Sequence, residues 1–219
     1  MTLRPELPPL PARIAALPVH RGYPVPWFVQ WMRDGQGTDP GDGEPEFRIM
    51  DSRKLARAVL EHRCWVCGDR LGARRAYTVG PMCAVNRTSA EPPSHRECAI
   101  FSAVACPFLS RPHMRRREAG RPEEAVKPAG DMIERNPGVA LVWITRGTRT
   151  KRDPDGGVLF DIGEPLEVLW YAEGRPATRA EVLASIESGL PLLAEVAAEE
   201  GAEKVLARMA ERALALVPA

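Results

Sequence analysis

Cys64-Trp-Val-Cys67 and His95-Arg-Glu-Cys98 open and close the stretch that decides how this chain is built. A C-x2-C turn places two thiolates around one ion, and H-x2-C in the first turn of a helix offers two more ligands. Four such donors close a tetrahedron with no open position, which is the pattern of a structural zinc site, so Zn2+ is the expected cofactor. Cys83 or Cys106 could stand in for His95. Cys106, however, lies two helical turns past Cys98, about 12 Å along one helix. Both of these cysteines read better as core residues.

Working outward, a helix starts at Asp51, capped by Asp51 or Ser52, with Leu55, Val59 and Leu60 on one face opposite Arg53, Arg57 and Glu61. Asp69 to Gly72 reads as a turn and Ala76 to Val79 as a strand ending at Gly80-Pro81. Asn86 to Pro93 reads as irregular. Ser94 then caps a helix carrying Cys98, Ile100, Phe101 and Val104 up to Pro107. A knuckle, a hairpin and a helix that supplies the last two ligands resemble a treble clef, over about residues 62–106. Treble clefs serve DNA, RNA, protein and catalytic roles, so the resemblance implies a fold and a ligand set (Cys64, Cys67, His95, Cys98) but no activity. The runs Gly80-Pro-Met-Cys-Ala-Val-Asn-Arg87, Glu91-Pro-Pro-Ser-His95 and Cys106-Pro-Phe-Leu109 are also similar to small bacteriophage and prophage proteins. That second resemblance implies no activity either.

The flanks differ from this centre. Among 219 residues there are 22 prolines, about twice the usual share, and those in residues 1–50 predict rigid turns rather than long elements. Tyr23-Pro-Val-Pro-Trp-Phe-Val-Gln-Trp31 is either a short extended segment or a helix from Pro26 with Trp27 and Trp31 on one face. Gly35 to Pro45 is a turn-rich loop. Beyond residue 121, Val139–Thr145, Val158–Ile162 and Val168–Tyr171 predict three strands of an antiparallel meander. Thr178-x-x-Glu181 is a capping box for a helix through about Ser188, with Gly189 as its stop. Helix resumes from Pro191 and again over residues 202–217. The expected class is α+β: a proline-rich segment (1–50), a basic zinc-binding module (51–121), and a small antiparallel sheet with C-terminal helices (122–219), the last two either separate or packed as one compact unit.

A net charge of +1 hides an asymmetry: residues 1–47 carry −2, residues 48–121 carry +9 and residues 122–219 carry −6. The middle segment holds 14 arginines and one lysine. Arginine suits bidentate contact with phosphate or carboxylate. These side chains either pair with the acidic C-terminal part or attract an anionic partner. The candidate contacts are Arg74, Arg75, Arg87, Arg111, Arg115, Arg116 and Arg117, with a second cluster at Arg146, Arg149, Lys151 and Arg152. Trp27 and Trp31 are weaker candidates for a protein partner. No run approaches the roughly 18 apolar residues of a membrane span. No apolar leader precedes Pro8-Pro9, and an odd number of cysteines, five, with three of them in C-x2-C and H-x2-C spacing, suits a reducing compartment, so a cytoplasmic location is expected.

Catalytic patterns fit poorly. His95-Arg-Glu97 matches the H-x-E of zinc deaminases, but the C-x2-C pair precedes it instead of following, and four ligands leave no place for water. H-E-x2-H, a Walker loop and G-x-G-x2-G are absent. A treble-clef nuclease would need a histidine base, and His20, His62 and His113 offer no accompanying cluster. The leading expectation is a non-catalytic accessory protein binding nucleic acid. The alternatives are a protein-binding adaptor or inhibitor and a metal-dependent nuclease.

Overall fold

The computed structural model describes residues 3–111, 129–130, 136 and 138–219. In the proline-rich start, one turn of helix, α1 (Ala12–Ala15), precedes a two-residue-armed hairpin, β1 (Val19–His20) and β2 (Tyr23–Pro24). Its turn residues Arg21 and Gly22 have φ of 51° and 83°, the left-handed pair that matches hairpin twist. A three-stranded antiparallel sheet follows in the order β4-β3-β5: β3 (Val29–Arg33), β4 (Gln36–Thr38), β5 (Glu44–Met50). Asp34-Gly35 turns β3 into β4 in the same left-handed way. Residues 23–31 are thus neither one strand nor a helix from Pro26. A turn through Trp27 and Phe28 leads into β3, and Val29 and Trp31 face a small cluster with Val25 and Phe28.

α2 (Ser52–Leu60) starts where Asp51 accepts the Arg53 amide at 2.9 Å. Its inward face follows the expected one only in part: Leu55 and Val59 are half-buried, and Val59 packs against the main core. Lys54 and Ala58 are buried, whereas Leu60 is 80% exposed. The reason is polar: Lys54 Nζ donates to the Val29 carbonyl at 2.8 Å and so docks the helix on β3. Leu60, six residues on, is turned away.

β6 (Arg75–Val79) then leads through Gly80 into α3 (Pro81–Asn86), a helix opened by proline in its first turn where no amide donor is needed. β7 (Thr88–Ser89), α4 (Arg96–Ala105) and α5 (Pro107–Ser110) follow. The remaining strands are β8 (Ala140–Thr145), β9 (Thr148–Arg152), β10 (Val158–Ile162), β11 (Pro165–Ala172) and β12 (Arg175–Pro176), and two helices end the fold, α6 (Arg179–Glu199) and α7 (Glu203–Leu214).

The expected meander is replaced by a nested hairpin. β8 pairs with β11, and β9 pairs with β10 between them. The ribbon breaks at Gly147 and Gly163, where a Cβ on Gly163 would sit 2.7 Å from the Gly147 oxygen. The outer pair enters a sheet of order β12-β11-β8-β6, and the inner pair a sheet of order β7-β10-β9. β6, from the metal-bearing stretch, therefore shares a sheet with the C-terminal strands.

All six residues of β8 are buried, as expected for a strand covered on both faces. On one face Trp143, Leu141, Tyr77 and Trp170 pack with residues of α3, α6 and α7. On the other, Ala99 and Ala103 of α4 meet Ala76, Ala140 and Val142. The Thr178–Glu181 capping box is present, but Gly189 does not stop the helix. α6 continues through it and through Pro191. Gly189 instead allows a close approach: a Cβ there would lie 2.7 Å from Met82 Sδ.

Candidate metal centre

The knuckle is shaped by its backbone. Gly68 N donates to Cys64 O at 2.9 Å, Cys64 N to Asp69 O at 2.7 Å, and Leu71 N to His62 O at 2.8 Å. Gly68 has a φ of 80°, and a Cβ on it would meet the Trp27 ring at 2.7 Å, so a side chain is excluded twice. Arg63 clamps the turn, its Nη1 donating to Gly68 O at 2.9 Å. His95 caps α4 and Cys98 lies in its first turn.

These elements bring the ligand atoms of Cys64, Cys67, His95 and Cys98 within 4.8 Å of one another. A tetrahedral ion with metal–sulfur bonds near 2.3 Å needs sulfurs about 3.8 Å apart, so the four donors fit one ion. His95 Nδ1 is 3.4 Å from Cys67 Sγ, while Nε2 lies 3.1 Å from the Arg70 carbonyl. Donation from Nε2–H to that carbonyl fixes the tautomer and leaves the Nδ1 lone pair facing the sulfurs. The amides of Cys67 and His95 both donate to Cys64 Sγ at 3.4 Å, and the amino end of α4 adds a favourable field for thiolate charge.

Proton sharing among the sulfurs shows how closely they interact. Hydrogen bonds from Cys67 and then Cys98 push the Cys64 thiol far down. The same contact with Cys64 pushes Cys67 up to about 12, and Cys98 is pushed up more strongly by its contacts with Cys64 and Cys67. Contact with Cys64 raises His95. Three sulfurs this close cannot all carry charge on their own, and a divalent cation is what lets them do so.

Apolar cover comes from Ile14, Val66, Leu10, Leu17, Leu71 and Phe101. Arg13 pins α1 over the site through Asp69 at 2.5 Å and Glu97 at 3.3 Å. Glu97, the would-be deaminase acid, is thus engaged outside the ligand set. Trp65 stacks on Phe28 (4.9 Å, 11°) with Trp27 edge-on to it, and Trp27 N donates to Val66 O at 2.6 Å. These contacts tie the N-terminal sheet to the knuckle. Trp27 is half-buried here and Trp31 is buried in its own sheet, so neither is a free anchor on the surface. The sequence reading missed Arg13, the Arg70 carbonyl and Phe28, none of which has a local signature. Cys83 sits on α3 and Cys106 between α4 and α5, and neither belongs to the ligand cluster among the described residues.

The candidate arginines do not form one surface. Arg87 bonds Glu164 at 2.5 and 3.0 Å and lies 5.5 Å over the Trp143 ring, so it is tied into the fold. Arg74 and Arg75 are at the Thr145 end of the large sheet. Arg111 follows Ser110, which is beside Gly174 at the opposite end. Arg115, Arg116, Arg117 and His113 lie outside the described residues. His62 is exposed, and His20 neighbours Phe47, with ring centroids 6.3 Å apart. No described helix is long and apolar enough to cross a membrane.

No family model matches the chain, and neither a curated protein nor a solved structure does. The resemblance to bacteriophage proteins gains no support from these comparisons.

Proposed function

We propose that this chain is a non-catalytic accessory protein, organised by one structural Zn2+ on a treble-clef-like knuckle, that binds nucleic acid through its arginine-rich central part. Zinc is favoured because three thiolates and one imidazole are its usual closed donor set. The observation that carries the binding reading is an incomplete neutralisation. The acidic C-terminal part takes up Arg87 through Glu164 and Arg96 through Glu167. Arg74, Arg75 and Arg111 make no direct ion pair among the described residues, with Arg74 acting on Glu167 and Arg111 on Glu6 only at longer range. A nuclease of this kind would need a histidine base and a second metal site, and among the described residues no second cluster of metal-ligating side chains accompanies His20 or His62.

The test is binding of the zinc-loaded chain to a labelled nucleic acid at two salt concentrations. Affinity should fall steeply between about 50 and 200 mM salt if phosphates are being neutralised. Binding that is indifferent to salt, or absent at low salt, removes the reading. Cleavage of a plasmid with added Mg2+ or Mn2+ would favour the nuclease instead.

A further inference from the structure

We propose that α1 is a strap over the metal centre, closed while the ion is bound and required to open before the ion can leave. This rests on the zinc half of the reading above and not on the nucleic-acid half. The strap has a plug and a latch. The plug is Ile14, 1% exposed, which packs with Cys64, Val66 and Cys98, while Leu10 and Leu17 add partial cover from either side. Both cysteines in that cluster are 0% exposed. The latch is Arg13. Its Nη1 meets Asp69 of the knuckle at 2.5 Å, and its Nε meets Glu97 of α4 at 3.3 Å. One side chain thus fastens the strap to both elements that supply ligands.

Little else holds α1 down. It is a single turn with no side-chain cap, and a helix this short has no stability of its own. Its backbone hydrogen bonds, from Ile14 N and Ala15 N to Pro11 O and from Leu17 N to Ile14 O, stay within residues 11–17. Among the described residues no backbone hydrogen bond runs from that stretch to the knuckle or to α4. The latch itself is in water, with the side chains of Arg13, Asp69 and Glu97 exposed by 43%, 55% and 47%. Ion pairs this exposed are individually weak. The strap can therefore open locally while the core around Trp143 stays closed.

The four donors divide accordingly. Cys67 and His95 are half-buried, so an incoming ligand reaches that edge with the strap in place. Cys64 and Cys98 are packed with Ile14, and the last two bonds to the ion cannot be exchanged until α1 moves. Latch and ion also do the same work. An ion on Cys64, Cys67, His95 and Cys98 holds the knuckle against α4, and Arg13 spans the same two elements through Asp69 and Glu97. Whatever fixes their separation favours both, so occupancy closes the strap and, by linkage, the closed strap retains the ion.

The test is the rate at which the zinc-loaded full chain gives up its ion to an excess of the chromogenic chelator 4-(2-pyridylazo)resorcinol, followed by stopped flow. Arg13→Ala should release zinc about five- to tenfold faster than wild type, and Ile14→Ala faster still. Arg4→Ala, which removes an exposed arginine elsewhere in the same segment, should stay within about twofold of wild type. Raising KCl from about 50 to about 500 mM should speed release from wild type and leave Arg13→Ala nearly unchanged. Hydrogen exchange on the loaded proteins is the second readout. In Arg13→Ala the amides of Ala15 and Leu17 should exchange faster, while those of Cys64, Gly68 and Leu71 keep their wild-type rates. Equal release from Arg13→Ala and Arg4→Ala, or knuckle amides accelerating together with those of α1, would overturn the strap while leaving the metal centre in place. A wild-type chain that takes up no zinc would overturn both.

Discussion

Around Trp143, sixteen buried apolar residues form one cluster that joins the large sheet to α3, α6 and α7. Around Cys64 the corresponding cluster has four buried members, Ile14, Cys64, Val66 and Cys98, and two of these are candidate ligands. At roughly 1.5–3 kcal/mol for each large side chain buried, the first region has ample apolar burial to hold its shape. The second has far less, and an ion held by its four donors would supply the missing crosslink. One molecule thus combines an apolar half with a half gathered round four donors that could hold an ion, and the two meet along β6 and α4.

The sharpest way to break that contrast is to remove the ion. Chelation, or Cys64→Ser, should withdraw a contribution on the order of 10 kcal/mol from the knuckle. Hydrogen exchange should then speed up over residues 10–17 and 62–71 first, while Leu141 to Ile144 stay protected. Simultaneous loss in both places would mean that the halves are one cooperative unit.

Trp143→Ala tests the other side. Its ring is fully buried, and its Nε1 donates to Gly163 O at 2.9 Å. A loss of about 3–5 kcal/mol is expected, visible in denaturant melts with metal bound. Gly68→Ala should cost about 1–3 kcal/mol, through the left-handed φ and the Trp27 ring. Its effect should appear in metal affinity by competition with a chelator, and an unchanged affinity would separate the turn from the ligand geometry.

The smallest effect belongs to the start of α6. Thr178→Ala should cost about 1 kcal/mol. Arg175, and then the Thr178 amide and hydroxyl, hold the Glu181 carboxyl down at about 2, against an ordinary value of 4.5. Because the folded value is the lower one, this contribution is present above pH 4.5 and lost as pH falls toward 2. Melting of wild type and variant should therefore converge on the acid side. A gap that does not narrow would assign the cost to the helix cap alone.

Legibility in the sequence followed the range of the interactions. The four donors could be read because ligand spacing is local in each couple, and the Asp51 cap, the β6 strand and the Thr178–Glu181 box are local too. What escaped was decided at a distance. Leu60 seemed to belong to a core face until Lys54 found the Val29 carbonyl. Gly189 seemed to end a helix, although its role is to admit Met82. The meander failed because Gly147 and Gly163 break the ribbon where they touch, sending the inner strands to a second sheet. α3 was too short for a periodic signal, and only Gly80-Pro81 hinted at it. The arginine positions were visible, but the pairing of Arg87 with Glu164 and of Arg96 with Glu167 was a property of the fold.

Trp65 lies between two of the ligands, is 3% exposed, and its indole N–H has no hydrogen-bond partner among the described residues. An indole shielded in this way emits at the blue end of its fluorescence range. Loosening of the knuckle would admit water to that ring and shift its emission toward the red, while Trp143 and Trp170 kept their spectra. With an ion on the four donors, Trp65 would serve as an optical gauge of its occupancy, readable without any attached dye.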